Sequence, residues 1–192
     1  MKIAAVILAA GESARLGRPK QLLVTRGRSL LRYVVECADE GGCDPVIVVL
    51  GAREQEMLRE IESTPAQPVI NRNWKAGMHS SIQSAVESLP RLAPEARGAL
   101  FLTCDQPRIT PEVVRRIRER FDGRAGRIVA CEYAQTVGIP ALFERSLFSE
   151  LSTLPGPGGA KSVMQAHPND LLRLPWPDGA VDVDRAEDIP LS

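Results

Sequence analysis

Residues 8–20, "LAAGESARLGRPK", join a short apolar run to an amphipathic one and hold two glycines, two arginines and a lysine. Leu8 ends the apolar run, and Ala9, Ala10 and Gly11 are small enough for a ligand to approach the backbone. Successive N–H groups in such a turn form an anion-binding concavity, and Arg15 and Lys20 add cationic donors. The spacing rules out the two commonest phosphate loops. A dinucleotide fingerprint needs G-x-G-x-x-G, but Gly11 is followed by Glu12 and Ser13. A P-loop needs G-x-x-x-x-G-K-[ST], but five residues separate Gly11 from Gly17 and Gln21 follows Lys20. A small anion site remains, beside the plainer alternative of a solvated glycine-rich turn.

Carboxylates recur at two other places. Asp105 stands in "CDQP", directly after an apolar run. By itself such a residue is an ordinary turn or cap. "DVDRAED" offers Asp182, Asp184 and Asp188, and alternation on a strand would put Asp182 and Asp184 on one face. "NWKAGMHSSI" precedes a helical pattern, and its Gly77 and Ser80 could serve an anion or a ribose at the helix start. Ser80 and Ser81 are equally suited to capping. His79 and His167 are the two histidines, and neither has the neighbours of a hydrolytic triad.

Positioning these residues calls for a sheet. Residues 2–8, 45–50, 68–71, 98–103 and 127–132 are apolar runs of strand length. Between them lie helical patterns: one after Ser29 with Leu30, Leu31, Val34, Val35 and Ala38 on one face, one around 54–61, one over 80–89, and one opened by Thr110 and Pro111. A further strand is expected near 180–183, and Gly138 and Pro140 of "VGIPALF" would rigidify a turn. Near-continuous apolar strands separated by helices predict an α/β, doubly wound, mostly parallel sheet with helices on both faces. The loops beginning at Ala9, Gly51 and Cys104 would then share the carboxyl edge, where such sheets bind ligands.

Bulk properties narrow the partners. The chain has 192 residues, the size of one domain, with 44% hydrophobic and 25% charged residues. Its 24 basic and 24 acidic residues cancel, which argues against nucleic acid bound by bulk electrostatics. The four cysteines form no C-x-x-C pair and suit a reducing cytoplasm. The first apolar run breaks after about ten residues, half of the roughly twenty a membrane span needs.

Taken in order, "LAAGESARLGRPKQLL", "NRNWKAGMHSSI", "LTCDQP", "VGIPALF", "GPGGAK" and "DVDRAED" resemble the motifs of nucleotidyltransferases with a molybdenum-cofactor nucleotidyltransferase-like domain. Within that group they are most similar to molybdenum cofactor cytidylyltransferases. The resemblance covers nearly the whole chain and implies a single NTP transferase domain over 1–192, of the nucleotide-diphospho-sugar transferase type. It implies Mg²⁺ held by Asp105 and Asp184, catalysis by Arg15, Lys20 and Asp105, and nucleotide contacts from Leu8, Ala9, Ala10, Gly11, Lys20, Gly77 and Ser80. The implied reaction is attack of a phosphorylated acceptor on the α-phosphorus of an NTP, with pyrophosphate leaving.

The same resemblance favours CTP as donor and a molybdenum-bearing pterin as acceptor, with room for a molybdoenzyme-maturation partner. Ala10 stands where many guanylyltransferases carry a second glycine, a hint towards CTP; GTP, or a sugar- or polyol-phosphate acceptor, are the rivals. Two positions depart from the pattern. Ile139 replaces a residue that is commonly histidine. Pro157 and Lys161 replace an acidic residue and an arginine, which removes bidentate phosphate recognition. These departures leave open a nucleotide- or flavin-binding module, or an oxidoreductase, on the same fold.

Overall fold

The computed structural model describes residues 1–123, 126–156 and 158–183, without the side chain of Arg15. Strand β1 (Ile3–Leu8) is buried along its whole length. Beyond the first loop a small hairpin, β2 (Val24–Thr25) and β3 (Arg28–Ser29), stands apart from the main sheet. Helix α1 (Leu30–Glu40) is capped by Ser29, whose hydroxyl accepts from the Arg32 amide. Then follow β4 (Val46–Leu50), α2 (Glu54–Ile61), β5 (Gln67–Ile70), α3 (Met78–Leu92) and β6 (Gly98–Thr103). Helix α4 (Pro111–Arg120) starts on Thr110, which accepts from the Val113 amide. The chain closes with β7 (Ile128–Tyr133), β8 (Thr136–Glu144), the short helices α5 (Phe148–Ser152) and α6 (Lys161–Ala166), and β9 (Leu171–Pro175).

Seven strands form one sheet in the order β5-β4-β1-β6-β8-β7-β9. Pairing is parallel except where β8 lies antiparallel to β6 and β7. Alternate residues of β1 serve two cores. Ile3, Ala5 and Ile7 pack with the apolar stripes of α1, α2 and α4, while Ala4, Val6 and Leu8 pack with those of α3, α5 and α6. Both faces are therefore dry, which is why the strands are apolar throughout rather than alternating. The chain runs from β1 outward to β4 and β5, then returns to place β6 on the other side of β1. That reversal leaves a crevice beyond the carboxyl ends of β1 and β6.

Three sequence expectations need correction. "VGIPALF" is not a turn but most of β8. The β7–β8 register shifts between Ala130 and Cys131, which pair with Ala141 and Gly138, so Ile139 and Pro140 fall in a bulge. A proline is tolerated there because no ladder N–H is required of it. The late strand is β9 rather than 180–183; residues 177–180 form a 3-10 turn. Helix α3 begins at Met78, so Ser80 and Ser81 lie inside its first turn rather than at its cap.

Candidate active site

Leu8 pairs with Thr103 in the last rung of the β1–β6 ladder. The two strands thus release their loops at the same level, and Lys20 and Asp105 meet there although 85 residues separate them. Lys20 Nζ lies 2.8 Å from Asp105 Oδ2, with the two side chains 21% and 23% exposed. The pair is half withdrawn from water yet open to a ligand, so its charges act with less screening than surface charges do.

The first loop is held in shape mainly by Gln21, a residue the sequence reading passed over. Its buried side chain donates from Nε2 to the carbonyls of Ala9 at 2.9 Å and Gly11 at 2.8 Å. Ser13, left-handed at φ 57°, accepts the Lys20 amide at 3.1 Å on its hydroxyl and faces Gln21 Oε1 at 3.4 Å. With both ends tied, Lys20 is presented from a closed loop. Gln21 follows Lys20 within the first motif, but its type alone does not announce the carbonyls it meets.

A cleft of about 250 Å³ opens over this pair. Its lining brings the charged Lys20 and Asp105 together with the apolar Leu8, Ala10, Trp74 and Met78, and with Gly11, Gly77 and Ser81. Ala9 is buried behind it. Two larger hollows, of about 390 Å³ beside α2 and about 370 Å³ between α3 and α5, lie on the flanks of the sheet and carry none of these groups.

Gly77 faces the cleft at φ 112°, a conformation that L side chains rarely adopt. Ser80 is otherwise engaged: its hydroxyl lies 2.9 Å from the Asn73 carbonyl and 2.8 Å from that of Gly77, and it accepts from Asn71 Nδ2 at 2.9 Å. Ser81 is the serine that lines the cleft, while Ser80 is tied to the segment before α3. Asn71 organises both, since it also donates to Ser81 Oγ at 3.0 Å and accepts the Asn73 amide on Oδ1 at 2.8 Å.

Behind Asp105, buried Gln106 donates to the carbonyls of Ile139 at 3.0 Å and Gly179 at 3.1 Å. It ties the aspartate loop to β8 and to the segment after β9. Tyr133 donates to the same Ile139 carbonyl at 2.7 Å, and burial raises its phenol pKa. Burial also pushes the Cys104 thiol well above its usual range, so it is no nucleophile although it adjoins Asp105. The Val183 amide donates to the Asp105 carbonyl at 2.7 Å. Asp182 is exposed, and Asp184 and Pro157 lie outside the described residues, as does the Arg15 side chain.

Among the described residues no group of three or more acidic, histidine or cysteine side chains gathers to hold a metal. Magnesium takes oxygen ligands and uses one or two carboxylates together with substrate phosphates, and Asp105 supplies such a carboxylate at the mouth of the cleft. No helix among the described residues is long and apolar enough to cross a membrane.

Residues 5–171 match the family described as the MobA-like NTP transferase domain. Nicotine blue oxidoreductase of Paenarthrobacter nicotinovorans is 32% identical, over 96% of this chain and 93% of that protein. A "Probable molybdenum cofactor guanylyltransferase" of Opitutus terrae is 33% identical, over 56% of this chain and 50% of that protein. Among solved structures, Rv0371c of Mycobacterium tuberculosis H37Rv superposes with a TM-score of 0.82 at 33% identity, over 98% of this chain and 95% of that one. A structure of Rv0371c in complex with manganese gives a TM-score of 0.75 at 30% identity, over 98% and 96% of the two chains.

Proposed function

This chain belongs to the MobA-like NTP transferase family, and we propose that it transfers a cytidylyl group from CTP, with magnesium, to the terminal phosphate of a molybdenum-bearing pterin. The observation that carries this reading is the Lys20–Asp105 pair, at 2.8 Å, on a cleft that apolar residues also line. An acceptor phosphate oxygen attacks the α-phosphorus; the bond from that phosphorus to the oxygen bridging to the β-phosphorus breaks, and pyrophosphate leaves with its electron pair. Both reactants are anions, so the protein's work is positioning and charge neutralisation.

Lys20 leaves Asp105 to meet the triphosphate, with Arg15 supplying a second cation from the same loop. The loop amides around Gly11 receive phosphate oxygens, and Ala9 and Ala10 let the nucleotide lie close to the backbone. Asp105 and Asp184 would hold magnesium, which supplies charge neutralisation and Lewis acidity at phosphate oxygens. The bond from Val183 to the Asp105 carbonyl supports Asp184 as the second carboxylate. Ala10, which stands where many guanylyltransferases carry a second glycine, favours CTP. No covalent nucleophile is required, since the acceptor is one.

The test is pyrophosphate release from CTP and from GTP with magnesium and loaded pterin. Release with CTP in clear excess supports the proposal. Release with GTP instead makes the protein a guanylyltransferase, the activity named for the Opitutus relative. The likeness to nicotine blue oxidoreductase over nearly the whole chain favours a second reading, an oxidoreductase on this fold. Oxidation of a reduced nicotinamide or flavin, with no pyrophosphate from any NTP, would decide for it.

A further inference from the structure

We infer that Trp74 selects the base of the bound nucleotide by forming a wall of the cleft; the inference rests on the nucleotide reading above and deepens it. A nucleoside triphosphate has an anionic part and a flat aromatic part. Lys20, on the cleft, suits the phosphates, and the apolar residues that share its lining, Leu8, Ala10, Trp74 and Met78, suit the base. Bases stack on aromatic faces because every base has a π surface. Trp74 is the aromatic side chain on the cleft among the described residues. The chain's other tryptophan, Trp176, is buried and packs edge-on against Tyr133 at 6.2 Å.

The position of Trp74 is built in from behind. Gly51, just past β4, sits between the first loop and the indole. A Cβ there would stand 2.6 Å from Trp74 Cβ, 2.7 Å from its Cγ and 2.9 Å from the Ala10 carbonyl oxygen. Only glycine lets the side chain close onto the strand end at that distance. Ala52 bonds back to the same Ala10 carbonyl at 3.0 Å, so the first loop, Gly51 and Trp74 form a stack of fixed spacing. Trp74 opens a 3-10 turn whose entry is held by Asn71, through the Asn73 amide. The wall is therefore rigid, and a rigid wall discriminates between bases of different size and shape.

The test is binding of CTP, GTP, UTP and ATP with magnesium to wild type, Trp74→Phe and Trp74→Ala, by tryptophan fluorescence and by calorimetry. Inorganic triphosphate is the ligand without a base. The preferred nucleotide should quench the wild type saturably, and Trp74→Phe should lose the quench while calorimetry still records binding. In Trp74→Ala the preferred nucleotide should bind about tenfold more weakly, the order for one lost base–aromatic contact. The ranking of the four bases should flatten, and inorganic triphosphate should bind as before. A Trp74→Ala variant that keeps wild-type affinity and ranking overturns the inference and leaves the nucleotide reading standing. Equal weakening of nucleotides and inorganic triphosphate overturns it as well, because Trp74 would then support the loop and not the base. If wild type binds no nucleotide, both fall; if it binds with a base ranking but releases no pyrophosphate, only the transfer step falls.

Discussion

Lys20 and Asp105 each stand out in the sequence as a charge beside an apolar run, but their meeting comes from the ladder, where Leu8 and Thr103 leave the sheet together. Asp105→Asn keeps the shape and removes the charge. Turnover should fall by about two to three orders of magnitude, while the unfolding free energy from a urea melt falls by no more than about 1–2 kcal/mol, since each partner keeps a fifth of its surface in water. Wild-type turnover in that variant would take Asp105 out of the site. Gln21 tests the loop itself. Gln21→Leu leaves the Ala9 and Gly11 carbonyls without their donor, which should cost about 2–3 kcal/mol. It should also weaken nucleotide binding, measured by calorimetry beside the urea melt. Of the residues that shape this site, Lys20, Asp105 and Gly77 stood out in the sequence because their types imply a phosphate, a metal or a backbone turn. Gln21, Asn71 and Gln106 were not, because a buried amide is recognised only by the carbonyls and hydroxyls it meets.

At the scale of elements, legibility followed covering. Strands β1, β4 and β6 lie between two helix layers and read as unbroken apolar runs. Among the described residues strand β9 pairs on one side, with β7, and "LLRLP" carries an arginine that such an edge tolerates. Strand β8 hides behind a proline that its bulge accommodates. Helix starts at Ser29 and Thr110 were legible because a cap hydroxyl has one local job, and both do it. Thr110→Ala should therefore cost about 1 kcal/mol in a denaturant melt. The β7–β8 hairpin offers the opposite sign. Ala134 and Gln135 form its two-residue turn with φ of 45° and 59°, the arrangement that Asn-Gly suits best and that strains an alanine. Replacing the pair by Asn-Gly should raise stability by about 1 kcal/mol, and an unchanged midpoint would mean the turn carries no strain.

Across the whole molecule, the doubly wound sheet followed from the apolar runs, since only a sheet covered on both faces buries them. The place of the cleft followed from the reversal at β1. The core on the α1, α2 and α4 face encloses all four thiols, Cys37, Cys43, Cys104 and Cys131, which are free and buried. Burial raises every one of them, Cys43 and Cys131 to about 12. Unfolded, a thiol ionises near pH 8.5. Between that value and the raised one, the unfolded chain has lost protons that the folded chain keeps, so stability must fall as pH rises. Below pH 8 the thiols are protonated in both states and contribute no slope. Above it, each thiol held protonated contributes a fall of up to about 1.4 kcal/mol per pH unit. Tyr33, raised to about 12, adds to the fall once the unfolded phenol ionises near pH 10. Urea unfolding under reducing conditions should show a flat free energy to about pH 8 and a steep loss by about pH 10. Cys43→Ala should make that loss shallower by up to about 1.4 kcal/mol per pH unit. A profile with no such loss, or a Cys43→Ala slope equal to wild type, would mean that the core on the α1, α2 and α4 face is open to water, and the burial that keeps this face of the strands apolar would be wrong.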